Sequence, residues 1–342
     1  MNQKSEFEAR VASAGIRRIT RCRKISLKGA QKVVLPSFLT ETHSSGAQKH
    51  FVWNEFSASV RPVESFGGMP ELPEVEITRL GILKRVGGRR CTGAVVRETR
   101  FRKAAPANLS ELLKGQCLRS IERRGKYLIW SFDRGYIVSH LGMSGVMRIV
   151  DPKATEPVKH DHIDILFGDL AVRYHDPRRF GFLIWLPESQ DPHDLPEIAK
   201  LGEEPFSDDF TADRLHSALA NTSLPIKEAL LTGKYVVGVG NIYCSESLFE
   251  ACISPLTPAN KLSTKRLERL VAAIRQVLTL SLQEGGSTLK DFVSAEGEQG
   301  YFTLNAKVYG KAGKPCSCCG RPIKKIVQNK RAPYFCSYCQ RR

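Results

Sequence analysis

The chain has 342 residues, 42% of them apolar, and carries a net charge of +17 with a pI near 9.5. That length accommodates two domains and an appendage, and a positive excess of this size points to a polyanionic partner. Composition excludes a membrane span, since no run of about 18 apolar residues occurs. It also argues against a secreted disulfide framework, because four of the ten cysteines share a metal-type spacing and six are scattered, as in a reducing cytosol.

Residues 1–68 hold eleven Lys and Arg against five Glu and no Asp, a net +6 that leaves +11 for the remainder. Their apolar residues follow no period, and Ser, Thr and Gly are frequent. A disordered extension, or the product of an upstream start codon, is expected here. Glu6 and Glu8 argue against a transit peptide, and no secretory apolar core is present.

Next comes Met69-Pro70-Glu71-Leu72-Pro73-Glu74-Val75-Glu76. Read as local structure, it is a helix start, with Pro73 in the first turn and acids near the positive helix end. Read as chemistry, it is a latent nucleophile. A chain begun at Met69 and trimmed of it would expose the secondary amine of Pro70 beside Glu71, and such an amine condenses with a sugar aldehyde to a charged iminium. Its pKa of roughly 8 would leave more of it unprotonated at neutral pH than a lysine.

The apolar positions Val75, Ile77, Leu80, Ile82, Leu83 and Val86 predict a helix over 73–86, ended by Gly87-Gly88. Short β-rich runs follow at 93–97, 117–122, 127–132, 136–141, 146–150, 162–167, 171–175 and 180–186, with close turns such as Asp133-Arg134-Gly135. They predict an antiparallel sandwich or barrel. A boundary falls in the Pro-, Asp- and Glu-rich stretch 187–205. Beyond it, helical spacing marks 210–219, 226–231, 241–252 and 263–283. A Gly-rich segment at 296–300 precedes a cysteine-bearing tail.

Cys316-x2-Cys319 and Cys336-x2-Cys339 fit a tetrahedral four-thiolate zinc site on two knuckles, with Cys318 an extra thiol inside the first. Gly238-Val239-Gly240-Asn241 joins two helices and sets Asn241 at a helix start, where its side chain can cap and free N–H groups can bind a phosphate. Arg123-Arg124-Gly125-Lys126 opens a strand, either as solvated rim charge or with Lys126 as a lysine in a DNA groove. The turns His140-Leu141-Gly142-Met143-Ser144-Gly145 and Asp176-Pro177-Arg178-Arg179-Phe180-Gly181 present Met143 and Phe180, which serve either as core plugs or as wedges entering a base stack.

Residues 69–342 resemble the bacterial formamidopyrimidine-DNA glycosylase family from end to end. The resemblance is carried by PELPEVE at 70–76, RRGKYL at 123–128, HLGMSG at 140–145, KHDH at 159–162, DPRRFG at 176–181, VVGVGNIY at 236–243, GYF at 300–302 and the four cysteines. It implies an α+β multidomain protein: an N-terminal antiparallel β-sandwich with flanking helices (69–187), a helix–two-turn–helix DNA-binding domain (203–295) and a C-terminal four-cysteine zinc finger (307–342). It implies a bifunctional DNA glycosylase and AP lyase that excises 8-oxoguanine and formamidopyrimidines and cuts the strand by β,δ-elimination. By matching positions, Pro70 attacks C1′, Glu71 donates a proton, Lys126 assists β-elimination and Arg331 assists δ-elimination. Met143, Arg178 and Phe180 fill the vacated space, with Arg178 facing the orphaned cytosine, while His160, Arg178 and Asn241 contact DNA.

One structural zinc held by Cys316, Cys319, Cys336 and Cys339, double-stranded DNA with oxidised bases as partner, no membrane, a monomer and a cytoplasmic, nucleoid-associated location complete the expectation. Two departures stand out. Ser223 occupies a position where the family has a DNA-contacting lysine, and the 68-residue leader places Pro70 inside a peptide bond. The alternatives are an endonuclease VIII-like glycosylase for oxidised pyrimidines and, with the leader retained, a non-catalytic lesion binder. Leu72-Pro73-Glu74-Val75 and the Met143, Arg178, Phe180 set argue for the purine branch.

Overall fold

The computed structural model describes residues 69–286, 305–327 and 331–342. The expectations for 1–68 and for the 296–300 segment lie outside these. Helix α1 (Leu72–Val86) starts from a reciprocal capping box, in which the Glu71 N–H donates to Glu74 Oε2 at 2.8 Å and the Glu71 side chain accepts in return. Its Val75, Ile82 and Val86 are buried, as their helical spacing requires.

Strand β1 (Gly93–Val96) and a five-residue α2 (Leu109–Leu113) follow, then β2 (Leu118–Arg124), β3 (Tyr127–Phe132), β4 (Gly135–His140), β5 (Val146–Val150), β6 (Asp161–Phe167), β7 (Leu170–His175) and β8 (Phe182–Pro187). They form two antiparallel four-stranded sheets, ordered β1-β6-β7-β5 and β2-β3-β4-β8. Trp130 and Ile137 of the second sheet share one core with Ile163, Ile165 and Tyr174 of the first and with Val75 and Ile82 of α1. Two sheets enclosing one apolar layer make a sandwich. Arg173, only 1% exposed, alternates with the core-facing Val172 and Tyr174 and so lies on the opposite face of its sheet, where Asp164 accepts from its guanidinium at 2.9 Å through both carboxylate oxygens.

After the single turn α3 (Pro196–Ala199) the chain is helical: α4 (Ala212–Leu219), α5 (Ile226–Leu231), α6 (Asn241–Glu250) and the long α7 (Thr264–Gln283). Their core takes in Ile226, Ile242, Leu248, Leu267 and Ile274, and also Leu72 from the start of α1. The Leu72 N–H donates to the Gly238 carbonyl at 3.0 Å. The first residues of α1 are therefore part of the helical half, which brings Glu71 to the loop before α6.

The tail pairs β9 (Lys324–Lys325) with β10 (Tyr334–Phe335). Glu246 of α6 accepts the N–H groups of Lys307, Val308 and Tyr309 at 2.7–3.0 Å, and Gln340 Nε2 donates to the Ile253 carbonyl. These bonds moor the tail to the helices. Among the described residues no helix is long and apolar enough to cross a membrane.

Candidate active site

Glu71 lies buried where the first helix meets α6. Its carboxylate accepts the N–H groups of Gly240 at 2.8 Å, Ile242 at 2.9 Å and Tyr243 at 3.3 Å. These are the orphan donors at a helix N-terminus, so the carboxylate of Glu71 acts as the cap. Here the expectation for Asn241 is corrected. Gly240 is the capping residue, no side chain of its own caps the helix, and the amides expected to be open for a phosphate are taken by Glu71. The reason is steric and electrostatic together. A Cβ on Gly240 would collide with the Glu71 carboxyl, so only glycine admits the charge that best satisfies those amides.

Burial raises the Glu71 pKa above the ordinary carboxylate value; Lys126 and the α6 amides pull against that, and neighbouring Glu74 adds to it. Glu74 in turn accepts from the Tyr243 hydroxyl at 2.5 Å, which also meets Ser281 Oγ at 2.6 Å. Asn241 itself is half-buried, with its Oδ1 unpartnered among the described residues.

Lys126 follows a loop fixed by ion pairs. Arg123 bridges Glu76 at 3.0 Å and Glu204 at 2.8 Å, and Arg124 and the Gly125 N–H also reach Glu204. The two arginines are therefore fasteners rather than solvated rim charges. They tie β2 to α1 and to the segment linking the two halves, beside Lys126, whose charge acts on Glu71. Burial and the charge of Arg331 push the Lys126 amine below its ordinary pKa, against the pull of Glu71. Arg331 acts on Lys227 and Cys244 as well, so its charge reaches the same pocket.

Two residues here were given no role by the sequence reading. Lys227, 1% exposed, donates to Ser245 Oγ at 2.8 Å, and burial brings it down to about 8. His140 sits opposite Tyr127 across the β3–β4 pair, and burial together with the charges of Lys126 and Arg102 brings it down to about 3. Nothing local distinguishes a buried lysine at a helix start from a solvated one, so Lys227 gave no signal.

The expected DNA-facing residues occupy three turns. Met143 is half-buried on the β4–β5 turn, while Arg178 and Phe180 are exposed on the β7–β8 turn with the guanidinium 4.7 Å from the ring centre. His160 precedes β6 at φ 75°, its ring 6.0 Å from His162 and 6.1 Å from His175. It is a half-buried position among cationic neighbours, and both its partial desolvation and those charges hold its pKa below the ordinary value.

In the tail the Sγ atoms of Cys316, Cys319, Cys336 and Cys339 converge within 4.8 Å of one another, with pairs at 3.9 and 3.5 Å. A tetrahedron with Zn–S bonds of about 2.3 Å has edges of about 3.8 Å, so the donor set fits zinc. Cys318 is exposed and outside the four.

Three family models match the chain: Formamidopyrimidine-DNA glycosylase N-terminal domain at residues 69–183, Formamidopyrimidine-DNA glycosylase H2TH domain at 201–293, and Zinc finger found in FPG and IleRS at 313–342. A formamidopyrimidine-DNA glycosylase of Burkholderia cenocepacia is 50% identical over 276 residues, covering 80% of this chain and all of the relative. One from Paraburkholderia phymatum is 48% identical over the same span. Among solved structures, the MutM (Fpg) protein of Thermus thermophilus is similar with a TM-score of 0.71 and 36% identity, over 79% of this chain and 98% of that one. A Lactococcus lactis FPG point mutant in complex with a Fapy-dG containing DNA reaches 0.73 at 33% identity, over 80% of this chain and all of that one.

Proposed function

The chain belongs to the formamidopyrimidine-DNA glycosylase family, and on that premise we propose that it excises oxidised purines from duplex DNA and then cuts the strand at the abasic site. The observation that carries the reading is the convergence of Glu71, Lys126 and the charge of Arg331 immediately after Pro70. The relatives' name favours the purine branch over the endonuclease VIII-like alternative.

In this reading the nitrogen of Pro70, as a free amine, bonds to C1′ while the glycosidic bond breaks and its electron pair leaves with the base. Glu71 supplies the proton that the departing groups need. Burial raises its pKa, which is the direction that a proton donor needs. Loss of the amine proton and opening of the C1′–O4′ bond, whose electron pair stays on O4′ and takes up a proton, give the iminium, which withdraws electrons from the sugar. Lys126, its own pKa lowered, assists loss of the 3′ phosphate, and Arg331 assists loss of the 5′ phosphate.

Met143, Arg178 and Phe180 occupy the space of the extruded nucleotide, whose vacancy otherwise costs a few kcal/mol of stacking. His160 and Asn241 contact the DNA, Asn241 at a phosphate. One zinc, held by the four thiolates, orders the finger that carries Arg331 and has no part in the chemistry. The enzyme acts as a monomer.

The test is Glu71→Gln on a duplex containing 8-oxoguanine. Excision should fall by about 10²- to 10⁴-fold while binding to the same duplex is retained. Excision within twofold of the parent enzyme would remove Glu71 from its role.

A further inference from the structure

We propose that Asp176 is a positioning residue that locks the Met143 turn and the Arg178–Phe180 turn into one unit, so that the three side chains enter and leave the base stack together. This rests on the reading above, which gives those side chains the extruded nucleotide's space.

Asp176 directly follows β7 and is completely buried, at 0% exposure. One carboxylate oxygen, Oδ1, accepts the Ser144 hydroxyl at 2.8 Å and the Arg178 N–H at 3.3 Å. The other, Oδ2, accepts the Gly181 N–H at 2.9 Å and the Tyr174 hydroxyl at 3.3 Å. Ser144 Oγ also accepts from the Arg178 N–H at 3.3 Å. Ser144 adjoins Met143, and Arg178 and Gly181 bracket Phe180, so one carboxylate holds both turns from beneath.

Its backbone reaches the third turn too. The Asp176 N–H donates to the His160 carbonyl at 3.1 Å, and its own carbonyl meets His162 Nε2 at 3.0 Å. The turns also touch directly, because a Cβ on Gly142 would lie 2.5 Å from the Phe180 carbonyl carbon.

The physical consequence is cooperativity. No cation pairs with Asp176 among the described residues; its two carboxyl oxygens are held by a hydroxyl and amides from both turns and by the Tyr174 hydroxyl of β7. Moving either turn alone would leave a buried carboxylate short of donors, which a low-dielectric interior penalises heavily. The arrangement therefore has two states, both turns seated or both displaced, and the opposite-base preference set by Arg178 depends on a hydroxyl belonging to the Met143 turn.

Ser144→Ala tests this, since it alters none of the three inserted side chains. In the free protein, amide hydrogen exchange at Arg178 and Gly181 should accelerate by about tenfold, as expected when local opening becomes about 1.4 kcal/mol easier. On DNA, the excision ratio for 8-oxoguanine opposite cytosine over adenine should fall by a similar factor. Asp176→Asn should release the same amides. Unchanged exchange at Arg178 and Gly181 in both variants overturns the coupling, whatever the turns do on DNA. Faster exchange with an unaltered opposite-base ratio keeps the coupling but overturns the assignment of these turns to the vacated space, so the two ideas fail separately.

Discussion

His140 closes β4 against Tyr127, the rings 4.8 Å apart, and its Nδ1 accepts the Gly142 N–H at 2.9 Å. Held down to about 3 by burial, Lys126 and Arg102, it stays neutral in the fold between pH 6.5 and about 3, where the unfolded chain takes up a proton. The sign follows: its contribution is fully present above pH 6.5 and is lost as the pH falls towards 3. Between pH 6.5 and 5 that loss is about 2 kcal/mol, at 1.36 kcal/mol per unit. His140→Phe should therefore show a flatter acid limb in urea midpoints measured from pH 7.5 to 5. A decline parallel to the parent would mean His140 protonates in the fold.

A second single-residue prediction concerns DNA. Arg178→Ala should flatten discrimination between cytosine and adenine opposite the lesion, whereas Asn241→Ala should weaken all duplexes alike, as phosphate contacts do. Full cytosine preference in Arg178→Ala would contradict its gap-filling role. The candidate residues themselves were legible because their types are few and their motifs compact. Their partners were not. Glu71 and the amides it caps are separated by about 170 positions, and Arg124 reaches a glutamate 80 residues on, so local pattern could not pair them.

At the scale of elements, the strands were legible from alternation and turns, and the helices from spacing. The exceptions were α2 and α3, five and four residues long, which are too short to show a period. The finger was legible from cysteine spacing alone. Its two strands are two residues each and its apolar cluster is small, so the thiolate cluster has to supply most of its order. Cys336→Ser should reduce zinc content and DNA binding together, read by metal analysis and by titration with duplex. Full zinc with normal binding would reject this cysteine as a ligand. A sequence reading of the finger misses its attachment, since Glu246 looks like one more acid on a helix until its three backbone partners are seen.

Across the whole molecule, the charge of +17 matches a polyanionic partner, and the two halves meet at the residues proposed to do chemistry. Glu71 belongs to the start of α1 yet caps a helix of the other half, so the proposed nucleophile at Pro70 is held at their seam. The central claim is that the amine of Pro70 is the nucleophile. Borohydride trapping on 8-oxoguanine duplex tests it most directly, comparing a form confirmed by intact mass to start at Pro70 with the uncleaved 342-residue chain. The Pro70-starting form should give a covalent protein–DNA complex, because reduction fixes the iminium, and the uncleaved chain should bind without trapping, because an amide nitrogen forms none. Efficient trapping by the uncleaved chain would contradict the account and move the nucleophile to a lysine such as Lys126.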